Sequence, residues 1–214
     1  HDGFMDVQLV AFNRVWSLDF GYPATHETCH YWEGSWAVHN RSKICDGNDN
    51  DVVGSGRCTL FIDRPDCAVL ATEGVEGETI DWRYWRPHEK YHRRLLVLIP
   101  TVGERYALVD IAQLQGGTEH WRTFMGWQGD AVVEGVPLTP RAGTAAGCDI
   151  SRGERKTLPV ARQALAMIDQ IKEGNPGSDW SATYTMADDT EAKLDLHVVG
   201  SQEGVKLQHR RPRH

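Results

Sequence analysis

Apolar and polar residues alternate with a period of two over most of this chain, in short runs rich in β-branched and aromatic residues. That pattern predicts half-buried strands rather than helices. Phe4 to Phe12 reads as a strand and Val15 to Asp19 as its hairpin partner, turning at Asn13-Arg14. Trp36 to Cys45 is the next predicted strand. Cys58 to Asp63 and Cys67 to Thr72 follow, split by Arg64-Pro65. His92 to Ile99 and Tyr106 to Leu114 read as a hairpin across Pro100-Thr101-Val102-Gly103. His120 to Trp127, Trp180 to Met186 and Lys193 to Val199 complete the set. Turn signals recur at the spacing of an all-β sandwich. The predicted fold is therefore mainly β, a large two-sheet antiparallel sandwich in one domain over 1–214.

Three stretches depart from alternation. Pro159 to Ile171 places Ala164, Leu165, Ile168 and Ile171 on one helical face, so it reads as a short helix or an irregular strand. Residues 138–158, rich in Gly, Thr and Arg, read as a long loop. So does Asp46 to Gly56. There Asp46, Asn48 and Asn50 resemble the start of a calcium loop, but Asp51 and Arg57 stand where Gly and Glu are required. Residue 1 is His and the strand pattern starts at once, so a cut end is expected there. Residues 201–214 read as a terminal strand or a solvated basic tail, truncated or not.

Composition narrows the class. With 30 acidic and 23 basic residues the net charge is −7, which argues against nonspecific nucleic-acid binding. No apolar run is long enough for a membrane span. Five Cys without a C-x-x-C pair are expected to be mostly buried small apolar residues, with one bridge open if the protein is exported. Eight Trp suit sugar stacking and large sheet cores equally.

Candidate chemistry gathers in the first forty residues. His1, Asp19 and His39 each fall at or near a predicted strand end, so one sheet edge can collect them. Two imidazoles and a carboxylate suit zinc; two hydrogen-bonded histidines and a turn aspartate fit the same spacing. The aromatic stretch His26, His30, Tyr31, Trp32 and Trp36 reads either as a rim loop or as a sugar-facing wall. On the second reading Tyr31 hydrogen-bonds substrate, and Trp32 or Trp36 stacks on a ring. Arg93 and Arg94 read as solvated or paired with Asp110, the alternative being contact with an anionic sugar.

The order of these motifs resembles the heparinase II/III-like family. The residues that carry it are His1-Asp2 before an alternating strand, Asp19-Phe20-Gly21-Tyr22-Pro23, Ala37-Val38-His39-Asn40 and Cys45-Asp46-Gly47. His92-Arg93-Arg94, Tyr106 to Asp110, Gly117 and His120 continue it, so that it covers roughly residues 1–130. The resemblance implies the C-terminal β-sandwich domain of a polysaccharide lyase that cleaves uronic-acid-containing polymers by β-elimination. It implies a structural metal on His1, Asp19 and His39, for which the donors favour Zn²⁺, and uronate contact by groups such as Asn40; beside it, the aromatic-wall reading supplies Tyr31 as the catalytic candidate and Trp32 and Trp36 as substrate contacts. The C5 hydrogen is acidic only once the neighbouring carboxylate is neutralised, so anionic sugar and cationic or amide groups must meet.

The departures are specific. The chain begins at the first ligand itself, and the interval from Asp19 to His39 is short for the family. No α-helical toroid is present in this sequence, so the chain alone is expected to be inactive, with that helical domain as its partner. The expected location, periplasmic or secreted, follows from the extracellular substrates. Two other readings stand beside it. One is a noncatalytic carbohydrate-binding sandwich using Tyr31, Trp32, Trp36, Trp82 and Trp85. The other is a self-sufficient metal enzyme on His1, Asp19 and His39.

Overall fold

The computed structural model describes residues 5–17, 32, 35–45, 54–76, 89–103, 105–126, 129–177 and 179–199. Among them the fold is mainly β and every strand pairing is antiparallel. The largest sheet joins β4 (Ser55–Arg64), β5 (Cys67–Val75), β6 (Tyr91–Thr101) and β7 (Arg105–Gln115) in that order. A second sheet runs β13 (Lys193–Val198), β12 (Trp180–Met186), β9 (Gly129–Glu134). Short pairs complete the set: β1 (Leu9–Ala11) with β2 (Arg14–Ser17), β3 (Ser42–Cys45) with β8 (Glu119–Arg122), and β10 (Thr139–Pro140) with β11 (Lys172–Glu173). The antiparallel β-rich architecture expected from alternation is what the chain adopts, and it is consistent with a sandwich.

Local chemistry accounts for the differences from the expected elements. The first hairpin turns at Phe12-Asn13, one residue earlier than expected, because Ala11 pairs with Arg14. Both turn residues have positive φ, 55° and 56°, the geometry that matches strand twist in a two-residue loop. Phe12 is costly there, and its ring meets Tyr106 at 5.9 Å, which offsets part of that cost. The expected strand from Trp36 to Cys45 divides. Trp36–Val38 is a 3-10 turn whose N-cap Ser35 accepts the Ala37 N–H, and only Ser42–Cys45 is extended. The strand expected from His120 to Trp127 ends at Arg122. Thr123 N–H bonds to Arg41 O at 2.9 Å and its Oγ1 donates to the same carbonyl at 3.0 Å, which draws the chain inward. Strand β9 lies in a stretch with no strand expected, and β12 supplies its pairing partner.

The ambiguous segment 159–171 is helical over 160–167 and extended at Ile168 and Ile171. Helix α1 (Val160–Gln163) passes into a 3-10 turn, Ala164–Met167. Ala164, Leu165, Ile168 and Ile171 are all buried, the first two from the helical turn and the last two from the extended stretch after it. They join Trp32, Trp36, Ala37 and Val38 in the main core cluster, with Trp121 and Met125 against it. A smaller cluster, Val136, Trp180 and Ala182, lies beneath the second sheet. The 138–158 stretch is not loop throughout: it holds β10 and a 3-10 turn, Arg152–Thr157. The cysteines differ from expectation too. Cys45 is buried, Cys67 is half-buried, and Cys58 and Cys148 are exposed, all four as free thiols.

Candidate functional site

The turn at Trp36–Val38 sets His39 and Asn40 against the N-terminal segment and β6. His39 is fully buried, with Nδ1 3.0 Å from Asp6 Oδ2. Asp6 Oδ1 accepts the backbone N–H groups of Asn40 at 2.6 Å and Val7 at 2.8 Å. Burial raises the Asp6 pKa, but the His39 ring and these N–H donors outweigh it and hold the carboxyl below its ordinary value. An ionised carboxylate can only accept, so His39 Nδ1 carries the proton of this contact.

Asn40 binds this pair to a second cluster. Its Oδ1 accepts the Met125 N–H at 2.5 Å, and its carbonyl accepts Arg94 Nη1 at 2.9 Å. Arg94 also donates from Nη1 to Met5 O at 2.6 Å and grips Asp110 from Nε and Nη2 at 3.0 and 2.6 Å. Arg122 reaches the same Asp110 oxygen and donates to Ser42 Oγ at 3.2 Å. Two guanidiniums thus share one carboxylate. Burial alone would raise the Asp110 pKa; the arginines overcome it and lower the value. Arg94 is buried, whereas Arg122 is 38% exposed and carries the surplus charge outward.

A third cluster surrounds Glu76, which follows β5 directly. Its buried carboxylate contacts Arg41 Nη2 at 2.6 Å, Lys43 Nζ at 3.2 Å and His92 Nε2 at 3.2 Å, and accepts the Ile44 N–H at 3.1 Å. Burial opposes its charge, yet His92, Arg41 and Lys43 keep its pKa below normal. His92 responds oppositely: burial dominates and depresses its pKa. The three clusters stack along one side of β6, because His92, Arg94 and Leu96 alternate onto the same face.

This geometry places some of the expected site residues and not others. His1, Asp19 and Tyr31 lie outside the described residues, as do His26, His30, Trp82 and Trp85. Trp36 is 1% exposed and meets Trp121 at 5.6 Å, and Trp32 is 7% exposed in the same cluster. Trp36 is core, and Trp32, though packed in the same cluster, also reaches the lining of the trough between the two main sheets. Asn40 is buried, and its carboxamide oxygen is engaged by Met125. Among the described residues no group of three or more His, Cys, Asp or Glu is arranged to hold a metal ion. Arg94 pairs with Asp110, while Arg93 lies exposed with its guanidinium 5.3 Å from the Tyr91 ring centre. His120 is exposed and its Nε2 contacts Gly116 O at 2.7 Å.

Asp6, Glu76, Arg41, Lys43 and Arg122 were invisible as site residues in the sequence. The one available signal was the run Arg41-Ser42-Lys43-Ile44, whose charges have no exposed strand face to occupy. Beyond these clusters opens a trough of about 2910 Å³ between the two main sheets, lined in part by Tyr106, Trp121, Arg122, Phe124 and Tyr184. Comparison of the chain with models of protein families, with curated proteins and with solved structures finds no match.

Proposed function

We propose that this chain is the β-sandwich part of a polysaccharide lyase acting on uronic-acid-containing polymers, and that it shapes the cleft floor around a structural metal. The observation that carries this reading is the Asp6–His39 pair. A metal-binding imidazole characteristically gives its second N–H to a carboxylate, which fixes the ring and makes the other nitrogen a better ligand. The Nδ1 contact of His39 with Asp6 supplies that carboxylate. His1 and Asp19 are the proposed companions of His39, and Zn²⁺ is the ion their donor set favours. Bound there, zinc would fasten strand ends together and brace the cleft.

The remaining residues act by position and charge. Asn40 connects His39 to Arg94, and Arg122 presents surplus positive charge at the trough wall. A guanidinium there suits the carboxylate of a uronate, whose neutralisation precedes loss of the C5 proton. Proton transfer itself falls to groups of a helical domain supplied by the parent enzyme, with Tyr31 as this chain's candidate. Export to the periplasm or beyond accords with polymeric substrates.

The trough favours a second reading, a noncatalytic carbohydrate-binding module. Phe12 and Tyr106, 58% and 56% exposed, form an aromatic edge suited to a sugar face.

Elemental analysis separates the metal claim from the rest. Wild type is expected to hold about one zinc per chain, His39→Ala none, and Asp6→Asn to bind roughly 10–100-fold more weakly. Equal metal in wild type and His39→Ala would overturn it. For activity, the chain alone and a version joined to an upstream helical domain are incubated with uronate polymers. Ultraviolet absorbance of the unsaturated product from the longer form alone supports the lyase. Silence from both, with polymer retained by the chain in affinity electrophoresis, establishes the binding module instead.

A further inference from the structure

The four strands of the largest sheet do not alternate in their middles. Leu60-Phe61-Ile62, Ala68-Val69-Leu70-Ala71, Leu95 to Ile99 and Ala107-Leu108-Val109 are unbroken apolar runs. An antiparallel sheet with one wet face shows alternation; unbroken runs mark strands meant to be covered on both faces. One face carries Arg94 and Leu96 and turns toward Asn40 at one end, while Phe61, Tyr106 and Leu108 are exposed on it farther along. Among the described residues the other face is apolar through its middle. Registry puts Leu60, Ala71, Leu95 and Ile111 in one cross-strand row on it. Ile62, Val69, Val97 and Val109 form the next row. Leu60, Val109 and Ile111 are 45%, 42% and 55% exposed.

Charge frames this face. At one end Arg57, Glu73 and Arg93 lie in a row, with Glu73 held by Arg57 and by the Tyr91 hydroxyl. At the other end stand Arg64 and Arg105, both exposed, with Asp66 in the adjoining turn. Four arginines against Glu73 and Asp66 make the face cationic on a chain of net charge −7. We propose that this outer face of β4–β7 is the docking surface of a partner protein layer whose apolar centre is rimmed by carboxylates.

Three considerations select that occupant. Four strands about 4.8 Å apart and about 36 Å long present on the order of 700 Å² with both rims, near the roughly 800 Å² per partner of a stable complex. A second copy stacked in the aligned geometry of sandwiches lays arginine rim on arginine rim, which repels. A membrane surface calls for aromatic anchors, and the centre of this face carries only Leu, Ile, Val and Ala. The inference stands on these strands alone and is independent of the lyase reading.

The test uses two fluorescent amphipathic peptides with the same apolar face, one flanked by Glu and one by Lys, read by anisotropy against the intact chain. The Glu-flanked peptide is expected to bind at least about tenfold tighter, and to weaken as salt rises. Ile111→Glu, on the exposed edge strand, is expected to lose about tenfold or more, and Arg93→Glu with Arg105→Glu to invert the peptide preference. Circular dichroism and melting of each variant establish that it is folded. Equal binding of the two peptides overturns the proposal, as does indifference to Ile111→Glu. Self-association in sedimentation velocity that Ile111→Glu abolishes replaces the partner with a second copy. Binding to phosphatidylglycerol vesicles with the same sensitivity, in place of the peptide, replaces it with a membrane.

Discussion

Arg94 and Asp110 face each other across β6 and β7 in a two-bond fork, while the remaining Arg94 nitrogen holds the carbonyls of Met5 and Asn40. One side chain therefore ties the large sheet to the N-terminal segment that orients His39. Arg94→Lys keeps the charge and loses the fork and both carbonyl contacts. It is expected to cost about 1.5–3 kcal/mol in urea unfolding, the range for losing hydrogen bonds to a charged group. A cost below about 1 kcal/mol would mean that the segment is held elsewhere.

The buried clusters make stability depend on pH in one direction. Glu76, Asp6 and Asp110 have folded pKa values below their ordinary 4.5, 3.8 and 3.8, so the unfolded chain binds more protons as acid is added. Their contribution is present above those values and is lost as pH falls through the folded ones. His92 is depressed below 6.5, so it too resists protonation when folded. Its contribution begins to fall below about 6.5. The melting temperature is expected to decline from that point and more steeply below about 4.5. In His92→Gln the decline between the two is expected to flatten; an unchanged profile would remove His92 from the cause.

Two glycines at turns of β7 differ sharply. Gly116 has φ +87° and a Cβ there would lie 1.7 Å from Glu89 O, whereas Gly103 has φ +76° and nothing within 4 Å. Gly103→Ala is expected to cost only the left-handed penalty, about 1–2 kcal/mol. Gly116→Ala must also move a neighbouring backbone, and is expected to cost more than twice as much or to prevent folding. Comparable unfolding midpoints for the two variants would contradict this.

Thiol accessibility provides another check on the fold. Cys58 and Cys148 are exposed and Cys45 is buried beside Ile44 in β3. Under native conditions a chromogenic disulfide reagent is expected to modify Cys58 and Cys148 within minutes and Cys45 only after unfolding, as mass spectrometry of digests would read. Rapid native modification of Cys45 would show that β3 is open to solvent.

Short apolar and alternating runs of β-branched residues, bounded by turn residues, determined the β class, the β4–β5 and β6–β7 hairpins and the β12–β13 pair, because strand residues this short and this branched pack on a pleated surface. The burial of Ala164, Leu165, Ile168 and Ile171 was legible from their apolar spacing, but the helix ends at Met167 and the last two are buried from extended chain. The ion pair of Arg94 with Asp110 was foreseeable from its position in a hairpin. The site was not legible in this way. Trp36 carries the same ring whether it stacks on a sugar or fills a core, and only packing against Trp121 and α1's neighbours put it inside. Asp6 reads as one more polar residue of an alternating strand, and its pairing with His39 spans 33 positions. Glu76 finds Arg41 and Lys43 from one segment and His92 from another. Periodicity records how each residue sits relative to its own backbone, so it reaches the element. Which buried charges meet depends on how elements are brought together, and that was decided by the tertiary structure alone.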